Sequence, residues 1–145
     1  MQSTSDRKKT LNQLYQICRV GMEASELILP ETTDWGLRSQ IKKQDENYIN
    51  TSEKAAAMIK LQGTEPHSIS NVTRRMMRGS IKINTFFHHS PQRISEMMIN
   101  GSVMGIISMT KTMNHLEDCD LETKKLAENY VETEKQNIQA LKQYL

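Results

Sequence analysis

Three prolines, Pro30, Pro66 and Pro91, are all that interrupt this chain of 145 residues, and the segments between them are long enough for continuous helices. Proline lacks an amide donor and disfavours helical geometry in the residue before it, so each proline marks a boundary. With only 6 glycines and 5% aromatic residues, strand and turn formers are scarce while helix formers are abundant. An all-α fold follows. The length is that of a single domain, residues 1–145, which can bury a core without disulfide or metal staples.

The punctuation predicts where the helices lie. A first helix runs from about Ser5 to Leu29 and stops at Pro30. A second begins after "ETTD", with Thr33 as its N-cap, and ends at "KLQG", where Gly63 takes the left-handed position past the last turn. After the loop "TEPHS" a shorter helix covers "ISNVTRRMMRGSIKINTFF". Ser90 before Pro91 pairs a capping hydroxyl with a proline at the first helical position and opens a helix that reaches about Glu117. Asp120 caps the last helix, which continues to Leu145. The first and second long helices, and the last two, are joined by turns of a few residues and must be antiparallel. Between Gly63 and Pro91 the chain is long enough for a crossover helix, so that the second and fourth helices run parallel. The fold class predicted is a four-helix bundle of two antiparallel hairpins with a short crossover helix between them.

At about 100° per residue each helix presents a core stripe. On the first it is Leu11, Leu14, Tyr15, Cys18, Met22, Ser25 and Leu29. On the second, Leu37 and Ile41 begin the stripe and Ala55 and Ile59 end it, but Gln44, Asp45, Tyr48 and Ser52 occupy its middle. The last helix repeats the pattern: Leu126, Tyr130, Ile138 and Leu141 flank Glu134 and Asn137. A buried carboxylate must be paired, hydrogen-bonded or protonated. Two helices that place polar groups at mid-height predict one shared internal polar layer made of Gln44, Asp45, Tyr48, Glu134 and Asn137.

The segment "MMINGSVMGIISMT", residues 97–110, carries no ionisable side chain but is too short to span a bilayer, which takes roughly twenty apolar residues. Gly101, Gly105, Ser108 and Thr112 recur on one face and form a groove suited to close helix packing or to large side chains such as Tyr15 and Tyr48. Met97, Met98 and Met104 are placed to fill irregular gaps. The other side, through Ile99, Val103, Ile106 and Ile107, is apolar too. Something must cover it, and a second copy of the chain in a homodimer is the expectation.

With this pattern the chain resembles ferritin-like four-helix-bundle proteins, closest to small bacterial members of that superfamily that lack the full di-iron ligand set. In the iron-binding members two helices each supply a glutamate and two supply Glu-x-x-His. At the matching positions stand Glu134-Lys-Gln-Asn137 and Asp45-Glu-Asn-Tyr48, acid-x-x-polar pairs without the histidine. Folding the first hairpin brings Asp45 level with Cys18 and Arg19, and Arg19 is a candidate counter-ion. Glu134 falls opposite Met104 and Gly105, where no carboxylate faces inward. The resemblance therefore implies a bundle in which a polar hydrogen-bonded cluster replaces the di-metal centre, serving as a binding or structural, stress-related protein rather than a catalyst. No cofactor is expected. The alternative it implies is an iron- or manganese-binding, ferroxidase-like protein using the same residues. Taken alone, the polar cluster reads more readily as a device that fixes helix register.

Other signals are weaker. Cys18 on a core face reads as a small hydrophobe. His115, Asp118 and Cys119 could share a metal at a helix end, where a solvated surface is the plainer reading. His88 and His89 mark a boundary, and Phe86 and Phe87 can anchor the crossover to the bundle. Arg74, Arg78 and Lys82 repeat every four residues, with Arg75 beside them, and could meet phosphate on nucleic acid or an anionic lipid surface. A solvated face suits them better, because 19 basic against 17 acidic residues leave no strong global field. Nucleic acid is thus not an expected partner. Two cysteines and a start without an apolar signal-peptide core point to a reducing, cytoplasmic setting.

Overall fold

The computed structural model describes residues 2–87, 89–116 and 120–145, with the side chains of all but 2–4, 83, 86 and 87. Five helices form within it: α1 (Gln2–Ile28), α2 (Trp35–Leu61), α3 (Asn71–Phe87), α4 (Pro91–Asn114) and α5 (Leu121–Leu141), with short 3-10 turns at Leu29–Glu31 and Lys142–Tyr144. The α1–α2 and α4–α5 pairs pack most extensively, and α3 is the crossover that lies against α1. The architecture is all-α, a four-helix bundle of two hairpins with a crossover helix, as the punctuation predicts.

Local chemistry sets the helix ends. Ser90 accepts from the Arg93 amide and Asp120 from the Thr123 amide, each satisfying a donor that has no partner inside its own helix. Gly63 has φ +79° just past α2, the left-handed geometry that ends a helix at low steric cost. One cap differs from expectation. Asp34, not Thr33, caps α2, its carboxylate accepting from the Leu37 amide at 2.8 Å, and a carboxylate there also meets the positive end of the helix dipole. The first helix does not stop dead at Pro30 either. It tightens into a 3-10 turn, and the Arg38 guanidinium donates to the Leu29 and Thr32 carbonyls left over at its end.

The interior is built as two main apolar zones with a polar waist between them. One zone holds Leu14, Cys18, Met109, Ala127 and Val131; the other holds Ile28, Leu37, Ile41, Ile94 and Leu141. A third patch, Leu11, Ala55, Met58 and Ile59, closes one end. On each bundle helix the residues between the two main zones are small or polar. They are Gly21 and Ser25 on α1, Gln44 on α2, Ser102 on α4, and Glu134 and Asn137 on α5. Four helices thus give up apolar packing at the same height.

The core face of α4 is rotated from the one expected. Ile94, Ser95, Met98, Ser102, Gly105 and Met109 point inward, whereas Gly101 and Met104 are exposed. The expected outer face splits as well: Ile99 and Ile106 pack partly into the core, while Val103 and Ile107 remain 39% and 49% exposed. Among the described residues no helix is long and apolar enough to cross a membrane.

Candidate functional site

The waist is centred on Glu134, which is 2% exposed. From α5 itself, Asn137 Nδ2 donates to Glu134 Oε1 at 2.8 Å. Across the bundle, the Tyr48 hydroxyl donates to the carboxylate and lies 3.0 Å from both of its oxygens. The ring of Tyr48 can reach this position because α1 presents Gly21 there; a Cβ on that residue would stand 2.7 Å from two ring carbons. Gln40 extends the network, its Nε2 donating to Gln44 Oε1 at 2.9 Å and to Asn137 Oδ1 at 3.3 Å. The amide orientations then follow: Asn137 must turn its NH₂ toward Glu134, and Gln44 must turn its oxygen toward Gln40.

That arrangement leaves two buried groups without partners. Gln44 is 0% exposed and its Nε2 lies near the Tyr48 hydroxyl but short of a formed hydrogen bond; Ser102 is 2% exposed and its Oγ is likewise unpaired. Ser102 lies close enough to favour the ionised Glu134 and Tyr48, but short of a formed hydrogen bond. A buried polar group left unsatisfied costs about 1–3 kcal/mol, so two in one layer call for a physical reason.

Both residues border an opening. Between α1 and α4, with α3 along one side, lies a cavity of about 860 Å³ whose lining includes Gln44, Tyr48, Ser102, Tyr130 and Glu134. The two helices are tied at one end by Gln13, which donates to Ser108 Oγ at 2.7 Å and accepts from Thr112 Oγ1. At the other end Ile28, Ile81, Ile94 and Met98 pack together. Between these ties, Gly101 has nothing within 4 Å of where a Cβ would be. The small-residue stripe of α4 therefore does form a groove, as its spacing predicts. It is not filled by Tyr15 and Tyr48, however. Tyr15 packs on the end patch with Leu11 and Ile59, and Tyr130, from α5, closes on Gly105. Ile69, just before α3, and Thr73, Met77 and Ile81 on it complete the wall.

Burial dominates the electrostatics. It raises the pKa of Glu134, against the opposing hydrogen bonds of Asn137 and Tyr48 and the nearby Ser102 hydroxyl. Burial, reinforced by the Glu134 charge, also pushes the Cys18 thiol and the Tyr48 and Tyr130 hydroxyls far up. All three stay neutral, so Glu134 is the single member of the group that can carry charge near neutrality. A thiol raised in this way is no nucleophile.

Of the residues expected in the polar layer, the structure joins Gln44, Tyr48, Glu134 and Asn137. Asp45 is left out. It is half-buried at the α1–α2 surface, and burial with the charges of Glu26 and Glu46 raises its pKa. Adjacent positions on a helix are about 100° apart, so only one of Gln44 and Asp45 can face the core, and the neutral amide costs less to bury. Arg19 is no counter-ion for either acid; its guanidinium lies 4.0 Å from Met22 Sδ, and it forms no ion pair among the described residues. Cys18 does lie beside Glu134, within the apolar zone below it.

The donor set does not fit the di-metal centre that the ferritin-like resemblance implies. A pair of iron or manganese ions takes several carboxylates and imidazoles. Here one carboxylate is surrounded by two amides, neutral phenols and a protonated thiol. Among the described residues no group of three or more His, Cys, Asp or Glu is placed to hold a metal. Asp118, Cys119 and His88 lie outside the described residues, as do the side chains of Phe86 and Phe87, so the expectations placed on them stay with the sequence. His115 is exposed, with Nδ1 2.7 Å from the Lys111 carbonyl.

The basic run of α3 is not a free face. Arg74 pairs with Glu23 of α1 at 2.7 Å and Arg78 with the same carboxylate at 3.7 Å, while Arg75 and Lys82 are exposed. Two of the four expected anion-contacting residues are instead a latch that holds α3 beside the cavity. Sequence reasoning missed Gln40, Ser102 and Gly21. Ser102 stands one residue from Gly101, so the signal was present in the chain but the helix phase was misjudged. No family model, curated protein or solved structure matches this chain.

Proposed function

We propose that this protein is a non-catalytic binding bundle, in which the polar waist of a ferritin-like four-helix architecture has become the floor of a ligand groove instead of a metal centre. One observation carries the reading: Gln44 and Ser102, whose Nε2 and Oγ are buried without hydrogen-bond partners, are both among the residues that line the cavity of about 860 Å³ between α1 and α4. Cavities of roughly 300–1,000 Å³, mostly apolar with a few convergent polar groups, are the usual small-molecule sites. A ligand with an apolar body would cover the groove walls and give the two orphaned groups partners. The buried free thiol of Cys18 suits the reducing, cytoplasmic setting.

The test is a neutral apolar dye, Nile red, titrated against the wild-type chain and Gly101→Phe. A Cβ at that open position on the groove rim meets nothing within 4 Å, and the helix gains propensity over glycine. Wild type should bind the dye saturably and the variant should fold but not bind. Equal dye binding by both would overturn the groove. Iron or manganese purifying with the chain as a pair per molecule, and lost on Glu134→Ala, would overturn the replacement of the metal centre.

A second reading, self-association through the outer face of α4, is favoured by the exposure of Val103, Met104 and Ile107 over little more than one turn. Patches of this kind on a monomer mark interaction surfaces.

A further inference from the structure

The charge inventory of the groove narrows what it can hold, given that it is a ligand site at all. Among the described residues that line it, Glu134 alone has an ionisable charge of either sign; no lysine, arginine or histidine does. The cations of α3 that could have reached toward it, Arg74 and Arg78, are held on Glu23 and do not line the cavity. A carboxylate or phosphate head group would therefore meet a buried acid and no counter-charge, a pairing that low-dielectric surroundings make unfavourable. Fatty acids and phospholipid heads are disfavoured on this ground.

What remains must supply donors to Glu134 and an acceptor to Gln44. The Glu134 carboxylate takes one bond from Asn137 and shares the Tyr48 hydroxyl, which leaves lone pairs on Oε2. Ser102 Oγ can accept or donate. Gln44 Nε2, an amide nitrogen, can only donate, and the bond that the Gln44 oxygen accepts from Gln40 fixes which way the amide is turned. We infer that the ligand is a cationic amphiphile, an apolar chain ending in a protonated amine and also carrying a hydroxyl. The ammonium binds Glu134 and Ser102, and the hydroxyl oxygen accepts from Gln44. The groups facing Glu134 from the other elements are Cys18 on α1, Tyr48 on α2 and Ser102 on α4, with Tyr130 beside it on α5, and none of them contributes a competing cation. The chain would lie on Ile17, Val20, Met77, Ile81 and Met97.

The inference rests on the groove being a binding site, and displacement of Nile red separates the two. Decylamine, decanol, decanoate and the decyl 2-amino alcohol are compared at neutral pH on the full chain. The amine should displace the dye at concentrations about tenfold lower than decanol, the advantage of one charge-assisted hydrogen bond. The amino alcohol should gain further, and decanoate should fail. Glu134→Gln should bring the amine level with decanol, and Gln44→Leu should erase only the extra gain of the amino alcohol. Decanol matching the amine, or decanoate displacing best, would overturn the cationic class while leaving the groove intact. Dye that binds but yields to none of the four would overturn the ligand class outright, and absence of dye binding would remove the groove and this inference together.

Discussion

Gly21→Ala is the sharpest test of how the waist is held together. Glycine in a helix interior ordinarily costs about 0.5–1 kcal/mol relative to alanine, so the substitution should stabilise an isolated helix. Here the new Cβ would stand 2.7 Å from both Cδ2 and Cε2 of Tyr48 and 3.0 Å from its Cγ. Carbon atoms in contact sit about 3.5–4.0 Å apart, so the ring must retreat by about 0.8 Å or more. Its hydroxyl is held 3.0 Å from both Glu134 oxygens, and the ring is buried among Cys18, Met109 and Tyr130. Retreat therefore overpacks the core, at about 1–3 kcal/mol, and loosens a bond to a buried carboxylate, at about 1–3 kcal/mol more. After the helix-propensity gain, a net loss of about 1–5 kcal/mol is expected. For a chain of this length that is a fall in Tm of roughly 3–20 °C. Gly101→Ala and Gly79→Ala meet nothing within 4 Å and supply the control, since both should gain about 0.5–1 kcal/mol. Thermal and urea unfolding followed by circular dichroism reads all three. If Gly21→Ala equals or exceeds wild type while the controls gain as expected, Tyr48 is not wedged between α1 and Glu134, and the description of the waist is wrong.

Three further outcomes follow from named contacts. Because burial raises the Glu134 pKa, the folded chain keeps that proton to higher pH than the unfolded chain, whose carboxyl titrates near 4.3. Stability should therefore fall as pH rises from about 4.3 through the raised value, and Glu134→Gln should remove that part of the slope; parallel urea-midpoint profiles for the two proteins between about pH 4 and 8 would contradict it. Glu23→Gln should release the Arg74 and Arg78 latch at a cost of about 1 kcal/mol, appearing as faster amide exchange confined largely to α3, whereas unchanged exchange there would show the latch to be idle. If the exposed part of α4 pairs two copies, light scattering should find a dimer at micromolar concentration that Val103→Asp with Ile107→Asp converts to monomer, and a wild-type monomer would dismiss the pairing.

The sequence made the helix ends legible because their signals are local. Ser90 with Pro91, Asp120 and Gly63 act on amides or torsions within a few residues, and each performs the expected task. The waist was legible on α2 and α5 for a different reason: Gln44, Tyr48, Glu134 and Asn137 break stripes that are otherwise apolar, and the contrast fixes their phase. On α4 there is no such contrast. With apolar side chains nearly all round, a rotation of one residue changes little in the pattern, so the inward face read as Gly101, Gly105 and Ser108 is in fact Met98, Ser102 and Gly105. The Arg74–Glu23 pair lay beyond reach, because it depends on how far α3 slides along α1, which no spacing within either helix encodes.

The polar waist also runs against what stability alone would select. Leucine at 44 and alanine at 102 would remove two unpaired buried groups, each costing about 1–3 kcal/mol, and would let α1 and α4 close on each other. The chain instead keeps Gly21 on α1 and Gly105 on α4, and through them admits Tyr48 and Tyr130 beneath an opening that neither ring fills. Apolar zones lie on either side of the waist along the bundle. Packing is therefore given up locally, at one height and on four helices together, while the ends of α1 and α4 stay tied by Gln13 and by Ile28 with Ile94. A register device needs only one polar pair and no cavity. A layer that is under-bonded, acidic and open to a groove is the arrangement a ligand site requires.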